Sequence, residues 1–238
     1  MAAKGIFITG TDTGVGKSIA SAAIAMLLKR KGHSVGVMKP VTSGCVERNG
    51  QLVSEDAELL CFAAGTSVTA DSAPYLLKAP LAPSISASLD GVKIDFQVIK
   101  EAYLRLADQF DYVIVEGAGG LMVPLAGGLL VSDLASHLGL PIVVVARPGL
   151  GTINHTLLTT FSGRQLGLEV KGVIVNRYPE QPNQAEEYAP HLIASLSGSL
   201  LLGVFPEVEE EDDRRVVQGV VALLEQDPAT AIMLREMF

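Results

Sequence analysis

Gly10-Thr11-Asp12-Thr13-Gly14-Val15-Gly16-Lys17-Ser18 stands between an apolar run, Gly5-Ile6-Phe7-Ile8-Thr9, and an alanine-rich stretch over 19–31. Strand, glycine loop and helix in that order are the setting of a phosphate-binding loop. Glycine offers no Cβ to hold the backbone away from a phosphate. The helix start supplies free N–H groups and a partial positive charge. Lys17 is placed to reach the terminal phosphates, and the Ser18 hydroxyl to ligate Mg²⁺. The spacing departs from the commonest form, because Thr11 holds the first-glycine position and Gly10 comes one residue earlier. A plain glycine turn would not call for Gly16-Lys17-Ser18, so the loop reads as a site for a nucleoside triphosphate.

Outward from the loop, strands are predicted over 5–9, 35–39, 111–116, 142–146, 172–176 and 200–204. Helices are predicted over 16–31, 56–64, 96–108, 132–137, 153–166, 185–195 and 214–225. Runs such as Tyr112-Val113-Ile114-Val115 and Ile142-Val143-Val144-Val145 are apolar on both faces, the pattern of parallel strands covered by helices on both sides. The expected fold is α/β, a doubly wound, mostly parallel sheet of the P-loop NTPase-like kind, in a single domain over 1–238. Segment 69–91, with Pro74, Pro80 and Pro83, reads as a long surface excursion. Thr9, Lys39, Glu116, Ala146 and Asn176 are each read as ending a strand, so the residues after them should share one crevice.

With 48% hydrophobic residues and a net charge of −8, the chain is neither disordered nor built to coat nucleic acid. No apolar run approaches a membrane span. Met1-Ala2-Ala3-Lys4 is expected to lead straight into the first strand without a signal peptide, and Cys45 and Cys61 to be free thiols of a reducing cytoplasm.

Glu116 closes an apolar strand where phosphate-loop enzymes place a carboxylate on Mg²⁺. Gly117-Ala118-Gly119-Gly120 would then let the backbone pass close to the phosphates. Lys39 could neutralise a transferring phosphoryl group, and its removal is expected to spare folding. Ser43 could bond a polar substrate atom. Asp56 has two readings, an acid favoured at a helix start or a second metal carboxylate. Asn176 offers a donor and an acceptor suited to the N6/N7 edge of adenine, or simply opens a turn. Tyr188 reads as a core residue.

These pieces, together with the segment 149–155, resemble the dethiobiotin synthetases, ATP-dependent carboxylases of biotin biosynthesis, in order and spacing over nearly the whole chain. The resemblance implies a cyclo-ligase using ATP and Mg²⁺ to join CO₂ or bicarbonate to 7,8-diaminononanoate, through a carbamate and a carbamic-phosphoric anhydride. It implies catalysis by Lys17 and Lys39, and a metal shell of Ser18, Asp56 and Glu116. For ATP it implies Thr13, Gly14, Val15, Gly16, Lys17, Ser18, Asp56, Glu116, Gly117, Ala118, Gly119, Asn176 and Arg177. The backbone of Phe205-Pro206-Glu207 would flank the nucleoside. Ser43 would meet the reacting end of the substrate. Gly151, Thr152 and Asn154 would bind its carboxylate from the neighbouring subunit of a homodimer. Two other classes share the loop. A cobyrinic-acid-type amide synthetase would need a glutamine-hydrolysing domain. A partition or septum-site switch ATPase places lysine where Asp12 stands and uses a basic surface or a membrane-binding tail.

Overall fold

The computed structural model describes residues 4–238, so the expected path of residues 1–3 lies outside the described residues. In chain order the elements are β1 (Lys4–Gly10), α1 (Lys17–Arg30), β2 (Val35–Met38), β3 (Val41–Ser43), β4 (Val46–Arg48), β5 (Gln51–Val53) and α2 (Glu55–Ala64). They continue with β6 (Tyr75–Leu77), α3 (Pro83–Asp90), α4 (Phe96–Gln109), β7 (Tyr112–Gly120), β8 (Pro124–Ala126), β9 (Leu129–Leu130) and α5 (Val131–Leu138). The last are β10 (Ile142–Ala146), α6 (Thr152–Gln165), β11 (Val170–Tyr178), α7 (Gln184–Leu196), β12 (Leu200–Pro206), α8 (Asp213–Leu224) and α9 (Ala229–Met237).

Six strands form one sheet in the order β12-β11-β10-β1-β7-β2, and all its pairings are parallel. The doubly wound α/β architecture is therefore as expected. From β1 the chain builds β2 and β7 on one side, then β10, β11 and β12 on the other. The order reverses beside β1, and the carboxyl ends there face the crevice where such sheets hold ligands. Side chains alternate across the sheet with period two. Ile6 and Ile8 join Ile24, Leu60, Val221 and Met237 in the layer with α1, α2, α8 and α9. Phe7 joins Ile99, Leu134 and Ile193 in the layer with α4, α5 and α7. Each aliphatic side chain buried this way contributes about 1.5–3 kcal/mol, which holds the strand ends rigid around the crevice.

Helix α6 departs from that pattern. It turns Thr152, Thr156, Thr160 and Gly163 inward. Leu158 and Phe161 stay 56% and 58% exposed. A Cβ at Gly163 would lie 2.9 Å from Ile142 Cδ1 and 3.3 Å from Val170 Cγ2, so a larger residue there would make these side chains shift.

Several sequence expectations need correction. β7 runs past Glu116 because Gly120 pairs with Gly10. β11 runs past Asn176, and Tyr178 pairs with Pro206 of β12. β2 ends at Met38, one residue before Lys39. Segment 69–91 is not an excursion. β6 pairs in parallel with β3, α3 starts on Pro83, and Leu77 and Ser86 are fully buried. Proline is compatible with a helix start, where its missing N–H has no intrahelical acceptor. α9 was not anticipated. Asp227 Oδ1 accepts the Ala229 N–H at 2.8 Å, and Met233, Leu234 and Met237 dock on the core. Among the described residues, no helix is long and apolar enough to cross a membrane.

Candidate active site

The loop leaves β1 at Gly10 and enters α1 at Lys17, with Gly16 as N-cap at φ 83. That left-handed backbone favours glycine. A Cβ there would also overlap Asn176 Nδ2, so the position requires glycine twice over. Val15 is packed into the core at 1% exposure and anchors the loop from below. Lys17 is buried, and its Nζ lies 3.5 Å from the Asp12 carbonyl oxygen. Burial pushes its ammonium below the ordinary lysine value, and the nearby Glu116 carboxylate only partly offsets this.

Two carboxylates converge on Ser18. Its Oγ lies 3.0 Å from Asp56 Oδ1 and 2.8 Å from Glu116 Oε1. One hydroxyl proton serves one of them at a time. Glu116 stands abreast of Ile8 in the β1–β7 ladder, which brings a fully buried carboxylate beside the loop. Asp56 is positioned by the start of α2. There Ser54 Oγ accepts the Ala57 N–H at 3.1 Å and meets Thr42 Oγ1 of β3 at 2.7 Å. Asp56 lies in the first turn of α2 and also faces Ser18 and Lys39, so the geometry is compatible with both of its readings.

Lys39 follows β2, with its N–H on the Ser72 carbonyl at 2.7 Å. Its Nζ lies 2.5 Å from Glu116 Oε1 and 2.7 Å from Asp56 Oδ2. Burial works against the Lys39 charge, but Glu116 and Asp56 outweigh it and hold the ammonium above the ordinary lysine value. Burial likewise works against the Asp56 charge, and Lys39 outweighs it, so this carboxyl sits below its ordinary range. The two ammonium groups balance the two carboxylates.

These groups floor a cleft of about 800 Å³ that Thr13, Gly14, Ala118, Gly119 and Arg177 also line. Ser43 Oγ is buried there without a partner. Val41, Leu81 and Val123 give the cleft an apolar wall. A divalent cation fits this donor set. Glu116 Oε2 is buried and unpartnered, and every candidate ligand is a hard oxygen suited to Mg²⁺. Among the described residues no three His, Cys, Asp or Glu side chains cluster as a metal cage. Phosphate and water would have to complete the shell, as is usual for this ion.

Solved structures share the fold. A ParA family ATPase from Chlorobium tepidum superposes with a TM-score of 0.58 at 14% identity, covering 98% of each chain. The MinC:MinD cell division complex of Aquifex aeolicus gives 0.60 at 17%, covering 99% of this chain and 94% of that one. At such identities the likeness is one of fold alone. A family model described as an AAA domain matches residues 4–215. The ATP-dependent dethiobiotin synthetase BioD of Bacillus licheniformis is 40% identical over 214 residues, 90% of each chain. That of Bacillus subtilis strain 168 is 40% identical over 218 residues, 91% of this chain and 93% of its own. The chain belongs to the ATP-dependent dethiobiotin synthetase family.

Not every residue expected from the dethiobiotin synthetase resemblance meets in this cleft. Gly151, Thr152 and Asn154 lie at the start of α6, outside the lining. Gly117 keeps room for packing, since a Cβ there would lie 2.7 Å from Phe7 Cε1 and 3.1 Å from Val131 Cγ1. Phe205 is a fully buried core side chain, so only its backbone is available to a nucleoside. Pro206 ends β12, and the Glu207 N–H bonds the Tyr178 carbonyl at 2.8 Å. Asn176 differs from the two-point adenine reader. Its Nδ2 donates to the Val15 and Gly16 carbonyls at 3.0 and 3.1 Å, leaving Oδ1 buried and free. Tyr188 is 61% exposed rather than core. The Ser54–Thr42 link and the wall at Pro80, Leu81 and Pro83 were missed. A Ser three residues before the Ala57 N–H was a readable capping signal, whereas the wall depends on tertiary packing.

Proposed function

We propose that this dethiobiotin synthetase family member uses ATP to carboxylate 7,8-diaminononanoate and close the product to the cyclic urea dethiobiotin. The supporting observation is the Lys39 ammonium set between Asp56 and Glu116, beside Ser18 and the phosphate loop. One substrate amine adds to CO₂ and loses a proton, giving a carbamate. A carbamate oxygen attacks the γ-phosphorus, ADP leaves, and a carbamic-phosphoric anhydride forms. The second amine attacks the carbonyl carbon, expels phosphate and closes the ring. The chemistry brings two anions, carbamate and γ-phosphate, into contact, and preorganised cations make that approach possible.

Lys17 and the loop N–H groups would bind the phosphates, and Lys39 would offset charge between phosphate and carbamate. The Ser43 hydroxyl would hold the reacting nitrogen or its carboxyl group. The apolar wall would pack the aliphatic chain. Ser18, Asp56 and Glu116 would hold Mg²⁺, which when bound would neutralise phosphate oxygens. The α6 start, capped by Gly151 at φ 90 with no side-chain cap, suits a carboxylate. Leu150 is 89% exposed, and Leu158 and Phe161, three positions apart on α6, are exposed as well, which leaves apolar surface that a second copy would cover. In that homodimer, Gly151, Thr152 and Asn154 would complete the neighbour's site.

Phosphate release is measured with ATP, Mg²⁺, bicarbonate and the diamine, each omitted in turn, and the product is weighed by mass spectrometry. The expected result is release that needs all four and a product of dethiobiotin mass. Release indifferent to the diamine would overturn the reading.

A further inference from the structure

Two consecutive residues of β11 hold three consecutive carbonyls of the phosphate loop. Asn176 Nδ2 donates to the Val15 oxygen at 3.0 Å and the Gly16 oxygen at 3.1 Å, and Arg177 Nη1 donates to the Gly14 oxygen at 3.2 Å. Asn176 is 1% exposed. Arg177 carries an unusual backbone, φ 57, in a residue with a Cβ. Among the described residues only Asn49, at φ 53, shares this, and Asn49 sits in the Asn49-Gly50 turn of the β4–β5 hairpin. Arg177 lies within a strand instead, where the β11–β12 register shifts between Val175 and Tyr178. The left-handed backbone accompanies a side chain laid along the loop. Such outliers persist where surrounding structure enforces them.

A trans peptide points its C=O and the following N–H in opposite directions. Fixing the oxygens of residues 14, 15 and 16 toward β11 aims the N–H groups of Val15, Gly16 and Lys17 away from it. Successive N–H groups so aimed form an anion-binding nest. We propose that Asn176 and Arg177 are positioning residues that set the phosphate loop from β11. Their contribution to phosphate binding then does not depend on which base is present. The free Oδ1 of Asn176 belongs to the same amide plane, so a group seated on it bears directly on the loop carbonyls. This inference rests on the nucleotide site proposed above and extends it from base reading to loop geometry.

The discriminating probe is inorganic tripolyphosphate, which has no base to read. Its affinity is measured by calorimetry with Mg²⁺ for wild type, Asn176→Leu and Arg177→Gly. Leucine keeps the branched skeleton of Asn176 and removes its hydrogen bonds. Glycine keeps the backbone of Arg177 and removes its guanidinium. Asn176→Leu is expected to weaken tripolyphosphate by about 25-fold, since it removes two bonds and each accounts for roughly fivefold. Arg177→Gly is expected to lose about three- to tenfold with its melting temperature unchanged, and to keep that loss at ionic strength that screens a direct contact. For Arg177→Gly, which leaves Asn176 in place, kcat/KM should fall by the same factor with ATP and GTP. Tripolyphosphate affinity within twofold of wild type in the folded variants would overturn the proposal. If Asn176→Leu does not fold, Arg177→Gly decides alone. Failure of the wild type to bind either tripolyphosphate or ATP would instead sink the nucleotide site.

Discussion

Lys39 reaches Glu116 across the sheet edge, Nζ 2.5 Å from Oε1, with side-chain exposures of 6% and 0%. A buried ion pair is weak evidence of net stability, but breaking it from one side leaves a buried charge alone. The expectation that Lys39→Ala folds as well as wild type is therefore revised. In the metal-free protein, Lys39→Ala should destabilise by about 3–5 kcal/mol. Mg²⁺ should restore part of that, because a ligand bound only by the folded state stabilises it. Turnover should fall on the order of 10²–10³. Denaturant melts with and without Mg²⁺ test this, and a variant as stable as wild type without metal would contradict the pairing.

Lys17 and Lys39 are displaced in opposite directions, and this separates affinity from stability at alkaline pH. Lys17 sits below 10.5 in the folded protein, so rising pH removes its proton earlier than from an ordinary lysine. Nucleotide affinity should decline in that window. The folded value of Lys39 is raised above 10.5, so its stabilising contribution is fully present below that pH and is lost only as pH climbs through the raised value. The burial cost of a protonated Lys17 is relieved over the same window in which affinity drops. ATP affinity should thus fall below pH 10.5 while the melting temperature holds. The two declining together would show that the loop lysine is not the titrating group.

Ser54 shapes the site without touching the cleft. It caps α2 through the Ala57 N–H and ties that start to Thr42. Ser54→Ala should cost about 0.5–2 kcal/mol and loosen Asp56, two residues on. Mn²⁺ affinity in the presence of ADP, read by electron paramagnetic resonance, should drop severalfold, and Ser54→Thr should recover most of it. Metal affinity unchanged in the alanine variant would confine Ser54 to a stabilising role.

Much of this was readable along the chain. The Gly16-Lys17-Ser18 loop lies where its flanks predict, and β10 has its predicted bounds of Ile142–Ala146. Apolar runs betrayed the buried parallel strands because both faces are covered. The three-residue strands β3, β4, β5 and β6 are too short to show any period. The strand ends at Glu116 and Asn176 were misplaced because glycine and polar residues can continue a ladder when a neighbour pairs with them. Asp56 was ambiguous for a physical reason. An acid at a helix start looks alike whether it serves the dipole or a cation, and its contacts with Ser18 and Lys39 come from elsewhere in the chain. The donation from Asn176 to the loop was not legible, since that bond spans 161 positions.

The inverted helix α6 is best tested at Leu158 and Phe161. A helix that buries Thr152, Thr156 and Thr160, leaves Ile153 and Leu157 half-buried and exposes Leu158 and Phe161 gains little from its own core. Covering that face in a second copy would remove the apolar surface from water, at about 25 cal/mol per Å² before the costs of association. A charge placed there must be desolvated on association, so Leu158→Asp or Phe161→Asp should sediment as monomers where the wild type, on the proposed reading, sediments as a homodimer. The nucleotide cleft is built within one chain, so ATP affinity should stay near wild type. The α6 start would no longer reach a neighbour, and the KM for the diamine should rise by at least tenfold, about 1.4 kcal/mol. Dimers persisting in both variants would place the interface elsewhere. Monomers with an unchanged diamine KM would show that each subunit binds the substrate carboxylate unaided.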